Sequence, residues 1–179
     1  MALTASPDDQ ALLLDLQALD TRLAQLDHRA SHLPELATLA DLGRQDEALR
    51  LTTLEQQGAV EDIQLELTRV ESDVEVVEAR IARDAGRLES SSSVKDVAAL
   101  EQELGALRTR LGDLEEIELA VMERLEEAQG VLAATAAQRA TLRETITGVE
   151  ATRDAALAEI AAERTTAAAG RRTIEGKVP

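Results

Sequence analysis

Leucine, valine and isoleucine recur at alternating spacings of four and three along almost the whole chain, and this repeat limits the fold more than any other feature. Leu12, Leu16, Leu19, Leu23 and Leu26 open it, and Leu36, Leu39, Leu42 and Leu49 continue it less regularly. Val60, Ile63, Leu67, Val70, Val74, Val77, Ile81 and Leu88 follow cleanly, with Asp84 set in the same stripe. Past the serines at positions 90 to 93 it resumes at Val97, Leu100, Leu104, Leu107, Leu111, Leu114, Val121 and Leu125. It then weakens through Leu132, Leu142, Ile146, Val149 and Ile160. Such alternation is the seam of a coiled coil, where each helix covers its apolar stripe against another. Phe, Tyr and Trp are absent, so any core must be aliphatic.

The serine run decides the partner. Comparable lengths of repeat flank it, and serines compete for helical hydrogen bonds, which favours a loop there. Pairing within one chain costs only closure of that loop, whereas a separate chain also gives up translational freedom. The expected fold is therefore all-α: a long antiparallel coiled-coil hairpin occupying residues 1–179 as a single domain. The first arm is expected over 7–88, the tip loop over 89–96 and the return arm over 97–175. Seam pairing of this kind joins residues whose numbers sum to roughly 188. Leu88 then meets Leu100, Val74 meets Leu114, Val60 meets Ala128 and Leu39 meets Val149, with Glu35 near Arg153 as an ion pair. Arms of ~80 residues would give a rod of ~120 Å. A parallel coiled coil between chains, with the serines as a hinge, is the alternative.

Local signals refine the arms. Ser6, Pro7, Asp8 and Asp9 form a helix start: a cap, a proline at the first position and acids at the positive end of the dipole. Pro34 predicts a kink or break near 31–34, with Ser31 able to cap a fresh helix. The Ala-rich stretch of Ala155, Ala156, Ala158, Ala161 and Ala162 is expected to receive the leucines of the opening arm, large side chains against small. Gly176 and Pro179 mark the end of the last helix.

Several kinds of chemistry find no support. The chain has no cysteine, which excludes disulfides and thiolate metal sites. No apolar run approaches the ~20 residues that cross a bilayer. The first residues, MALTASPDDQALLL, lack a basic leader region, so a cytoplasmic protein is expected. A formal net charge of −16 repels nucleic acid and anionic membranes from these helices. No phosphate-binding glycine loop and no hydrolase signature is present, and a two-helix rod offers no water-restricted pocket. An enzyme is not expected. His28 and His32 share a helix face, but two imidazoles are an incomplete ligand set, so no metal site is assigned.

The charge pattern is more informative. Glu61, Asp62, Glu66, Glu71, Asp73, Glu75 and Glu78 crowd one arm. The register brings Asp113, Glu115, Glu116, Glu118, Glu123, Glu126 and Glu127 opposite, and Arg69 and Arg124 are the bases among them. This belt is a candidate surface for a basic protein partner, set against the plainer reading of solvated faces that keep a coiled coil soluble. Nearer the tip, Arg80, Arg83, Arg87, Lys95, Arg108 and Arg110 give a balanced or slightly basic patch. A tip could meet a belt within a homodimer or on another protein.

The segments LLLDLQALDTRLAQLDHRASHLPEL, SSSVKDVAALEQELGAL and VMERLEE resemble a bacterial family of coiled-coil proteins that end in a four-cysteine zinc ribbon. The likeness runs along essentially the whole chain. It implies a helical hairpin that carries the ribbon beyond its second arm, with zinc as the cofactor of the intact protein. It also implies a nucleic-acid-binding or regulatory role, in some members tied to flagellar or secretion machinery. The paired cysteines are missing here, so the chain is expected to be a fragment or a ribbonless variant. Nucleic-acid contact would then lie only in the absent ribbon, and His28 and His32 match the family's opening element as candidates for a structural or ribbon-docking role. The expected function is a non-catalytic interaction scaffold. The alternatives are a nucleic-acid-binding regulator acting through the ribbon, or a chaperone-like protein of a secretion or flagellar system.

Overall fold

The computed structural model describes residues 6–177. The residues before Ser6, on which the leader expectation partly rests, and Pro179 at the expected helix end lie outside them. Three helices follow in order: α1 (Pro7–Ser31), α2 (Pro34–Ser90) and α3 (Val94–Glu175). The fold is an all-α coiled-coil hairpin in which α1 and α2 together run against α3.

Each boundary has a local cause. Ser6 accepts a hydrogen bond from the Asp9 amide at 3.1 Å, and the Asp9 carboxylate accepts from the Ser6 amide, a reciprocal cap that satisfies two orphan donors. The expected break is present, with α1 ending at Ser31 and Pro34 opening α2, where its missing amide hydrogen costs nothing. Ser31 does not cap the second helix. Its hydroxyl donates back to the carbonyls of Asp27 and His28, both at 3.0 Å, and so closes the first one. The turn between α2 and α3 is shorter than residues 89–96. Ser90 stays helical, with its hydroxyl bonded to the carbonyls of Gly86 and Arg87, and the Ser93 oxygen accepts from the Asp96 amide at 3.4 Å to start α3.

The chain divides into two compact units, one of residues 1–47 with 140–179 and one of residues 48–139. In the first, Leu26, Leu33 and Ile160 form a buried cluster with Ala30 and Ala156 against it. The size-matching expectation holds only in part: Ala156 is packed, but Ala155, Ala158, Ala161 and Ala162 are exposed. They fall outside a seam set by Ala156, Ile160 and the buried Ala167, although Ala162 borders a groove it shares with Leu19. In the second unit the buried positions are Leu67, Leu100, Leu104, Leu114 and Val121, together with Asp84 and Thr135. Half-buried residues extend the seam in both directions at the same alternating spacing.

Candidate partner-binding surface

Ion pairs cross between the arms in each unit. In the first unit, Asp20 meets Arg171 at 2.6 Å, Asp27 meets Arg164 at 3.2 Å and Asp46 meets Arg143 at 3.4 Å. Glu163 receives both Arg22 and Arg29. The Arg171 guanidinium is held more basic than usual, first by its hydrogen bond to Asp20 and then by the charges of Asp20 and Glu175. Glu35 and Arg153 do not pair. Arg153 turns instead to its neighbour Asp154 at 2.8 Å, an interaction that raises the arginine and lowers the carboxyl, while Glu35 keeps a buried Oε2 that no donor reaches.

The second unit holds the acidic belt, and its charges behave differently. Glu66 accepts from Arg124 at 3.1 Å across the arms. Among the described residues, Glu61, Asp62, Glu71, Asp73, Glu75 and Glu78 on α2 have no ion pair or hydrogen-bond partner. Asp113, Glu115, Glu116, Glu118, Glu123, Glu126 and Glu127 on α3 are likewise unpaired. Glu118 is half-buried because it occupies a seam position opposite Val70, and the remaining thirteen are exposed apart from the half-buried Glu66. Arg69 stands exposed beside them.

The tip cations are partly spent. Arg80 bonds Glu103 across the turn, and Arg80 and Arg87 flank Asp84 at 3.8 and 3.3 Å. Arg83 donates to the Ala79 carbonyl, while Lys95, Arg108 and Arg110 have no ion pair among the described residues. His28 and His32 lie together at the end of α1, ring centroids 3.9 Å apart, and the His32 Nδ1 stands 2.8 Å from the His28 carbonyl. Both histidines are exposed. No group of three or more His, Asp or Glu able to hold a metal occurs among the described residues. No helix among them is long and apolar enough to cross a membrane.

Repeat spacing did not foretell one feature. Gln56 and Thr53 replace aliphatic residues in the α2 seam, and Ala59 and Ala128 leave a notch of about 340 Å³ beside it, walled also by Ile63, Arg124, Glu127 and Val131. The signal in the sequence was Thr53 and Gln56 in the apolar stripe with alanines near them.

A family model for the CT398-like coiled coil hairpin domain matches residues 16–179. The chain belongs to that family. An uncharacterized protein of Mycobacterium tuberculosis is 34% identical over 152 residues, covering 84% of this chain and 62% of the relative. This CT398-like hairpin thus spans less than two thirds of that protein. A solved structure from Mycobacterium smegmatis superposes with a TM-score of 0.89 at 28% identity, covering 99% of this chain and 74% of that one. CT398 from Chlamydia trachomatis, at 15% identity and a TM-score of 0.67, covers 96% and 72% and shares the fold.

Proposed function

We propose that this CT398-like hairpin is a non-catalytic, cytoplasmic scaffold whose acidic belt receives basic segments of partner proteins. One contrast carries the reading. In the first unit cross-arm arginines meet Asp20, Asp27, Asp46 and Glu163, whereas among the fourteen belt carboxylates only Glu66 has an arginine partner among the described residues. Unpaired surface charge of one sign accelerates encounter with an opposite charge and selects against like-charged partners.

Regulation through a zinc ribbon would need residues other than these. The chain has no cysteine to supply thiolate ligands, and no group of three or more His, Asp or Glu able to hold a metal occurs among the described residues. On this reading zinc and any nucleic-acid contact belong to a separate module, and the two histidines at the end of α1 are structural or ribbon-docking.

The test is affinity purification of the intact protein from its own cells, beside a variant with Glu71, Asp73, Glu75 and Glu78 changed to the corresponding amides. Proteins retained by the first and lost by the second are expected. Identical partner sets would remove the belt from the function.

A further inference from the structure

On one flank of the seam in the second unit, α3 presents Val131, Arg124 and Ile117 at intervals of seven residues. The register sets Ala59, Glu66 and Asp73 of α2 across from them, also seven apart. The middle pair closes as the Glu66–Arg124 ion bridge. The outer two pairs do not close. Val131 is 49% and Ile117 44% exposed, facing an alanine and a carboxylate in turn. The notch beside Ala59 and Ala128 opens on this flank, and in its wall the Gln56 Oε1 is buried without a donor from the chain.

The arms therefore leave along this flank a track with apolar ends at Val131 and Ile117, crossed midway by the Glu66–Arg124 bridge and edged by acids. Ile117 and Val131 stand about 21 Å apart at 1.5 Å per residue, a distance that about four turns of helix would cover. Around the track lie Asp62, Asp73 and Glu127, none of them paired among the described residues. An apolar groove with like charges on its rims fits the apolar face of a helix whose borders carry the opposite charge.

We infer that this flank docks an amphipathic helix of a basic partner protein, which packs on Val131, Ile117 and the Ala59–Ala128 notch as a third helix. Its lysines or arginines lay their aliphatic stems over the track and place their charges at Asp62, Asp73 and Glu127. The identity of the occupant follows from charge. Nucleic acid and anionic lipid are repelled by these carboxylates, and a second copy laid flank to flank would bring the same acids face to face. The inference rests on the scaffold reading and adds to it a defined seat and a partner that must be apolar as well as basic.

Two synthetic helical peptides of about 18 residues, roughly five turns, test it against the full chain by calorimetry at physiological salt. One carries leucines on a single face with lysines elsewhere; the other has every leucine replaced by alanine, so its charge is equal. The leucine peptide is expected to bind about tenfold more tightly, because its larger side chains bury more apolar surface. Val131→Ser and Ile117→Ser should each weaken the leucine peptide about three- to tenfold while leaving the alanine peptide unchanged. Met122→Ser removes a side chain of similar exposure on the other flank and should change neither. Equal binding of the two peptides, or equal weakening by Met122→Ser and Val131→Ser, overturns the docking flank and leaves the charge-based scaffold standing. Failure of both peptides to bind even at low salt overturns both.

Discussion

Leu19 faces Gly170 across the seam of the first unit, close enough that a β-carbon on residue 170 would stand 3.6 Å from its Cδ1. That is ordinary van der Waals contact, so the leucine need not move to admit a methyl group. Glycine inside a helix is about 1 kcal/mol less favourable than alanine. Gly170→Ala should therefore stabilise the hairpin by about that amount, read as a higher thermal midpoint by circular dichroism. A lowered midpoint would mean that the arms approach more closely here than the geometry indicates.

Asp84 is a carboxylate in an aliphatic seam, 5% exposed, with one oxygen that receives no hydrogen bond. Its arginine neighbours lie largely in solvent, Arg80 at 54% and Arg87 at 71% side-chain exposure, so they remain hydrated if the carboxylate is removed. Taking an ion out of water costs more than such loosely held partners return. Asp84→Leu is predicted to raise stability by about 1–3 kcal/mol in urea unfolding. A loss would show that the pairs with Arg80 and Arg87 stabilise the turn.

Residues 91–93 alone join α2 to α3. Placing three further residues ahead of Ser93 doubles the loop while keeping the α3 cap, and each doubling costs only about 0.6 kcal/mol of closure entropy. The prediction is a small fall in stability with helicity unchanged. A loss beyond about 2 kcal/mol, several times the closure cost, would mean that the serines fix the turn geometry itself.

Glu35 and Arg153 occupy facing seam positions without meeting. A double-mutant cycle on Glu35→Gln and Arg153→Gln should show no coupling, and Glu35→Gln alone should not destabilise, since it leaves no cation unpaired. Measurable coupling would show that the pair forms in solution. The Asp154 carboxyl that holds Arg153 lies below its ordinary value of 3.8. Whatever that contact contributes is present above this pH and fades as pH falls through the lowered folded value.

The hairpin fold was legible because the spacing of Leu12 to Ile160 fixes which face each helix buries, and burial of that face is what drives pairing. The turn was overestimated because serine is a weak helix former that can still return its hydroxyl to carbonyls one turn back, as Ser90 does. Ser31 misled for the same reason. Composition alone points Ala155, Ala156, Ala158, Ala161 and Ala162 to the seam, though only Ala156 of the five keeps its phase. The belt could be read as a run of letters, but its lack of counter-charges could not, because Arg124 might have served any of several acids. The docking flank was less visible still. It depends on Ala59, Ala128 and Gln56 leaving space, and an absence of volume has no periodic signature.

The nesting of the cross-arm bridges around the bend has a consequence for assembly. The Arg80–Glu103 bridge joins residues 23 apart in sequence, Glu66–Arg124 joins residues 58 apart and Asp20–Arg171 residues 151 apart. Every contact nearer the serines shortens the stretch of free chain that the next one must gather. Folding should thus run as a zipper from the bend toward the ends, with pulse-labelled amides protected first around Leu100 and last around Leu19. Simultaneous protection at both places would mean that the two arms meet along their whole length at once.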